Sequence, residues 1–162
     1  MNENKKAEVN ILKSICVHFL QQEGDIIELN ANDILFINSC LKKIAEYEKR
    51  LLDEKYSNSS SYNLDFDFEY KRKQQRNGYF IGYPDKCFIR LRSGKYKMRD
   101  RFTKDEFAKL FLEQLNTLFH EFNHFEQLLV MKSEDHLTYN SYRMATEKIF
   151  RNKHSSYYNY NY

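Results

Sequence analysis

Apolar residues recur every three or four positions along the first third of the chain. This spacing predicts one helix over residues 6–22, ended by Gly24, and a second helix that begins after the N-cap Asn32 and runs to about residue 55. Two amphipathic helices joined by a short loop predict an antiparallel hairpin over residues 1–56. The stripes are too short for a partner-binding coiled coil, so packing in the core is the better interpretation. The apolar stripe of the first helix consists of Val9, Leu12, Cys16, Phe19 and Leu20, and that of the second helix consists of Ile34, Ile37, Leu41, Ile44 and Leu51.

The pattern changes to strict alternation after a serine-rich link at residues 57–61. Apolar and acidic residues alternate over 64–70, which predicts a β-strand. Residues 78–83 and 87–92 predict two more strands around a turn at Pro84-Asp85, and a last strand follows Gly94 near Tyr96. The predicted small sheet therefore covers residues 63–98. Cys87, Ile89 and Leu91 would face the core, and the acidic and basic faces of neighbouring strands could pair across the sheet.

A long helix is predicted to follow the sheet. Thr103-Lys104-Asp105-Glu106 forms a capping box, so the helix should begin there, and it runs to about Met131. Ser133 can cap one further helix, so residues 103–152 complete the fold, and the Tyr- and Asn-rich tail at 153–162 should be loose. Counted from Phe107, the apolar residues of the long helix gather within about 70° of one direction. They are Leu110, Phe111, Leu115, Leu118, Phe122, Phe125 and Leu129.

The polar side of this helix carries the motif His120-Glu121-x-x-His124. Residues i and i+4 share one face of a helix, so both imidazoles can reach a single metal ion. The histidines fall at about 220° and 260° from Phe107, away from the apolar stripe. Glu121 points about 100° away from His120 around the helix axis, where it can hold a water molecule that zinc polarises. The alternative interpretation is a solvated polar face with two ordinary histidines.

The motif, its helix, the preceding sheet and the downstream helix together resemble the zincin fold in its small gluzincin-like form. Residues 118–127, a helix containing Glu147 and a Tyr-rich tail also look like small zincin-like proteins of bacteria and their mobile elements. The resemblance covers roughly residues 78–162 and leaves the N-terminal hairpin unaccounted for. A length of 162 residues predicts one domain, so we expect a single α+β zincin-like domain over residues 1–162. The resemblance also implies that His120 and His124 bind Zn²⁺ and that Glu121 is the general base.

A catalytic zinc needs three protein ligands and an open position, and the sequence offers several candidates for the third ligand. The metzincin continuation is absent, since Val130 stands where its third histidine would be. The gluzincin arrangement implies Glu147, although its usual neighbours are absent and it could instead pair with Arg151. The remaining alternatives are His136, His154 or an acidic ligand beyond the last residue. Tyr142, His136 and His154 are candidates for stabilising the oxyanion.

Positive charge is concentrated between Lys71 and Lys104. This stretch has twelve Lys or Arg and only two acids, whereas the whole chain has a net charge of +3. Aromatic residues are interleaved with the basic ones, and this combination is typical of a surface that binds nucleic acid, since basic groups contact phosphates and aromatic rings stack on bases. The same surface could bind an acidic protein. The alternative is a solvated sheet face, because no nucleic-acid-binding signature accompanies the charge. The candidate residues are Arg90, Arg92, Lys95 and Lys97.

The cysteine content and the N-terminal apolar run indicate the cellular compartment. Three cysteines, odd in number and widely spaced, do not form a disulfide framework, which favours a reducing compartment. The apolar run at 11–20 is interrupted by Lys13 and His18, so we expect a cytoplasmic protein without a membrane partner. The sequence therefore predicts a zinc metallopeptidase that acts on a peptide or protein. The alternative is a non-enzymatic binding or inhibitor protein of a mobile element that uses the basic sheet.

Overall fold

The computed structural model describes residues 1–69, 77–82, 87–92 and 101–131, and this part of the chain has an α+β architecture. Helix α1 spans Glu3–Ile15 and continues as a π-helical segment over Cys16–Leu20, α2 spans Ala31–Lys55 and α3 spans Lys104–Val130. The strands are β1 (Ile26–Glu28), β2 (Leu64–Glu69), β3 (Gly78–Gly82), β4 (Cys87–Arg92) and β5 (Arg101–Thr103). A short 3₁₀ turn at Ser59–Ser61 links α2 to β2.

Helices α1 and α2 pack as an antiparallel hairpin, which confirms the prediction. The side-chain amides of Asn2 and Asn4, at the start of α1, donate hydrogen bonds to Glu54 near the end of α2 (3.2 and 3.1 Å). At the other end, His18 Nε2 lies 3.4 Å from Asp33 Oδ1. The first residues of one helix therefore contact the last residues of the other.

The predicted boundaries of the hairpin are partly wrong. Helix α1 begins at Glu3, and its π-helical extension ends at Leu20 rather than at residue 22. The N-cap of α2 is Asn30 and not Asn32. Asn30 Oδ1 accepts the backbone N–H of Asp33 (2.8 Å) and Asp33 Oδ2 accepts that of Asn30 (3.0 Å), so a reciprocal capping box fixes the earlier start.

Strand β1 lies in the loop between the two helices, where no strand was predicted. It pairs antiparallel with β5, and Ile27 faces Phe102 in the register. Gly24 precedes this strand with a φ of 85°, a conformation that side chains disfavour. The backbone N–H of Lys104 donates to Asp25 O (3.0 Å), so the same loop holds the first turn of α3.

The second sheet has the strand order β2-β4-β3, with β4 parallel to β2 and antiparallel to β3. The three predicted strands are confirmed, while the strand expected near Tyr96 lies outside the described residues. Cys87, Ile89 and Leu91 are buried, as predicted. Arg90 Nε lies 3.8 Å from Asp67 Oδ2, so an acidic strand and a basic strand do pair across the sheet.

Helix α3 packs its apolar stripe against the sheets and α2. The predicted capping box is present: Thr103 Oγ1 accepts the N–H of Glu106 (3.1 Å), and Glu106 Oε2 accepts that of Thr103 (3.2 Å). All seven residues of the predicted stripe are buried. The helix therefore begins at a fixed point and presents a fixed face to the core, which determines where its polar residues lie.

A carboxyl group is buried between α1 and α2. Glu8 is only 5% exposed, and Lys5 Nζ lies 3.1 Å from Glu8 Oε2 and 2.6 Å from Glu48 Oε1. Burial and the neighbouring Glu48 carboxylate raise the pKa of Glu8 to about 7, although Lys5 opposes the shift. The folded protein therefore binds a proton more tightly at Glu8 than the unfolded chain does.

We expect Glu8→Gln to stabilise the protein at pH 8 by roughly 2 to 3 kcal/mol and to have little effect near pH 4. The stability contributed by protonated Glu8 is complete below the unfolded pKa near 4.5 and is lost as the pH rises through about 7. Urea denaturation at both pH values measures this difference, with Glu3→Gln on the same helix as the matched control. An equal effect of Glu8→Gln at both pH values would contradict the proton-binding role.

Candidate metal centre

His120 and His124 lie one turn apart on α3 with their rings turned towards each other. Their Nε2 atoms are 3.1 Å apart, and the ring planes make an angle of 89°. Two nitrogen ligands of a tetrahedral zinc ion, each about 2.0–2.1 Å from the metal, lie roughly 3.3 Å from each other. The two imidazoles therefore fit two adjacent coordination positions of one zinc ion.

The second ring nitrogen of His124 also has a defined neighbour. Its Nδ1 atom lies 3.3 Å from the side-chain oxygen Oε1 of Gln127, three residues further along the helix. Outer hydrogen bonds of this kind orient the imidazole ligands of metal ions. Gln127 was not among the predicted site residues, although its i+3 spacing from His124 indicates that the two side chains are neighbours on the helix.

Glu121 is buried, with 3% of its surface exposed. The prediction that the whole motif lies on the polar face is therefore wrong for this residue, although both histidines are half-buried on that side. The reason is helical geometry: at about 320° from Phe107, Glu121 falls within the arc of the apolar stripe. Gln114, two turns earlier on the same arc, is buried as well. The carboxyl group thus sits on the core side of the histidine pair.

Strand β3 runs alongside the motif because two glycines allow α3 to approach it closely. A Cβ atom on Gly78 would lie 2.8 Å from Thr117 Cγ2, and one on Gly82 would lie 2.8 Å from Leu128 Cδ2. Thr117 and Leu128 flank the motif on the helix, so the strand spans its length. Within the described residues, β3 forms the end of the three-stranded sheet and pairs with β4.

A cleft of about 590 Å³ lies beside the second half of the motif. It is formed by the last turns of α3 and the residue that follows α2. Glu126 Oε1 accepts hydrogen bonds there from Lys55 Nζ (2.7 Å) and Tyr56 Oη (2.8 Å), and these bonds lower the pKa of Glu126. The cleft is lined by Tyr56, Asn123, Glu126, Gln127, Val130 and Met131. Gln127 therefore borders both the cleft and His124.

The other predicted ligands and oxyanion candidates lie outside the described residues. They are Glu147, Tyr142, His136 and His154. Within the part of the chain that the structure describes, no three His, Cys, Asp or Glu side chains come together to hold a metal ion. The structure therefore brings His120 and His124 together, while zinc binding and the identity of a third ligand stay predictions.

Arg90 is the only one of the four candidate residues for binding an anionic partner whose side chain is described. Lys95 and Lys97 lie outside the described residues, and only the backbone of Arg92 is described. The guanidinium of Arg90 donates to Tyr79 Oη (3.2 Å) and lies 4.7 Å from the centre of the Phe88 ring. Together with Asp67, these neighbours hold the charge of Arg90 against the sheet. Binding of an anionic partner through this surface stays a prediction.

Comparison with known proteins gives no match to a family model, a curated protein or a solved structure. None of the helices in the described part of the chain has the length and apolar character needed to cross a bilayer. The case for a function therefore depends on the motif and on the geometry around it.

Proposed function

We propose that this protein is a zincin-like zinc metallopeptidase. The observation that carries the proposal is the histidine pair, whose Nε2 atoms lie 3.1 Å apart on the helix that also carries the buried Glu121. This separation is close to that of two nitrogen ligands of one tetrahedral zinc ion. His120 and His124 would hold the zinc ion, and Glu147 is proposed as the third ligand.

Each residue of the motif has a distinct task in this proposal. A bound zinc ion supplies Lewis acidity, which lowers the pKa of water and polarises a peptide carbonyl. Glu121 accepts the proton of the attacking water and passes it to the leaving amine. Its burial supports this role, since a carboxylate shielded from bulk water interacts more strongly with a nearby cation. Tyr142, His136 or His154 would stabilise the oxyanion.

The neighbouring strand suggests how a substrate is held. An extended peptide substrate would add to an edge of the sheet formed by residues 78–92 and be aligned there by main-chain hydrogen bonds. Because Gly78 and Gly82 bring β3 close to α3, a peptide on this edge would pass beside the histidines. The cleft next to Gln127 offers space for a substrate side chain. The three free thiols support the cytoplasm as the proposed location.

We expect zinc-loaded protein to hydrolyse members of a broad peptide library. This hydrolysis should stop when a chelator removes the metal. Added zinc should restore the activity, while added magnesium should not, because imidazole ligands favour zinc over magnesium. Mass spectrometry of the products identifies the bonds that are cleaved. Hydrolysis that survives complete removal of the metal, or a zinc-loaded protein that cleaves nothing, would contradict the peptidase function.

A further inference from the structure

The contact between His124 and Gln127 constrains the protonation of His124. In a neutral imidazole one nitrogen carries the hydrogen and the other has a free lone pair. The Gln127 oxygen can only accept a hydrogen bond, so its position 3.3 Å from Nδ1 requires the hydrogen on Nδ1. The lone pair of His124 is then on Nε2, the atom that faces His120.

The position of His120 agrees with this arrangement. His120 Nε2 lies 3.1 Å from His124 Nε2, a distance at which one nitrogen must donate and the other accept in the absence of a metal. With the lone pair of His124 on Nε2, that atom is the acceptor. The opposite orientation of the Gln127 amide would place the hydrogen of His124 on Nε2 and direct it away from metal binding. The contact with Gln127 therefore selects the tautomer of His124, and the contact with His120 is compatible with it.

We propose that Gln127 is a positioning residue for the metal centre. Its side-chain carbonyl holds His124 in the Nδ1–H tautomer and fixes the ring, so that Nε2 presents its lone pair to the zinc ion. This inference rests on the proposed zinc site and adds a fourth residue to it. The extended motif is therefore His120-Glu121-x-x-His124-x-x-Gln127. Its residues His120, His124 and Gln127 share one face of the helix, because they are spaced four and three positions apart.

Two substitutions at residue 127 separate this role from simple packing. Gln127→Met keeps the length of the side chain but removes the acceptor, and it should weaken zinc binding by about 10- to 100-fold. Gln127→Glu supplies a stronger acceptor and should bind zinc at least as tightly as wild type. Asn123→Met changes an exposed amide next to His124 on the same helix and should alter the affinity less than about twofold. Competition with a chromophoric zinc chelator measures all four affinities.

Nuclear magnetic resonance of the metal-free proteins provides a second readout, one that packing alone would not change. The imidazole nitrogen shifts of His124 should show the hydrogen on Nδ1 in wild type and Gln127→Glu, and a shift towards the Nε2–H tautomer in Gln127→Met. Unchanged tautomer and affinity in Gln127→Met, with zinc still bound by wild type, would overturn this inference alone. A wild-type protein that binds no zinc would overturn the metal site and the positioning role together.

Discussion

Replacing Glu121 with Gln should lower peptide hydrolysis by about 10²- to 10⁴-fold while leaving the zinc content close to that of wild type. The amide has nearly the same shape as the carboxylate, which matters because Glu121 is only 3% exposed. An amide cannot accept the proton of the attacking water, so the chemical step loses its base. As a general base, Glu121 makes no bond to the metal, and zinc binding should therefore persist.

Parallel assays of zinc content and of kcat/KM on one cleaved peptide test this expectation. Glu46→Gln is the control, because it makes the same chemical change at an exposed residue of α2 that belongs neither to the motif nor to the cleft lining. The control should retain most of the activity. A Glu121→Gln protein as active as wild type would exclude Glu121 as the base, whereas one that loses its zinc would identify the residue as a ligand.

The second large effect is expected at the histidines. His120→Ala and His124→Ala should each weaken zinc binding by more than about 100-fold, since even the loss of an outer hydrogen-bond partner costs 10- to 100-fold. Both side chains are half-buried on the surface of α3, so the folded structure should survive the change. Isothermal titration or chelator competition measures the affinity, and circular dichroism checks the fold.

His18→Ala is the control for the histidine variants. His18 lies on the π-helical segment beside Asp33 and Phe36, on a different element from the motif. Its replacement should leave zinc binding unchanged. If a protein without His120 or His124 binds zinc as tightly as wild type, the metal lies elsewhere and the two-histidine site is wrong.

The long helix was the most predictable element of the fold. Its start is encoded locally by the reciprocal bonds of Thr103 and Glu106, and its buried face by an apolar stripe that extends over about six turns. The same periodicity placed His120 and His124 on a common side. The periodicity also puts Glu121 within the buried arc, at about 320° from Phe107, and the prediction was wrong because the motif was assigned to the polar face as a unit.

Features that depend on distant parts of the chain could not be predicted. Strands β1 and β5 have three residues each, too few to show a period of two, and they pair across more than seventy positions. The parallel pairing of β2 with β4 likewise depends on the fold as a whole. The start of α2, in contrast, had a local signal that was missed: Asn30 and Asn32 are equally good N-caps, but only Asn30 is followed three residues later by a carboxylate, Asp33, that completes a capping box.

The metal content of the wild-type protein tests the central claim most directly. Protein purified without chelators and then dialysed against zinc-free buffer should retain close to one zinc ion per chain, measured by elemental analysis alongside native mass spectrometry. Such a result is expected because the Nε2 atoms of His120 and His124 lie 3.1 Å apart, close to the separation of two ligands of one zinc ion. A chain that holds no zinc, even after incubation with the metal, would contradict both the metal centre and the peptidase function.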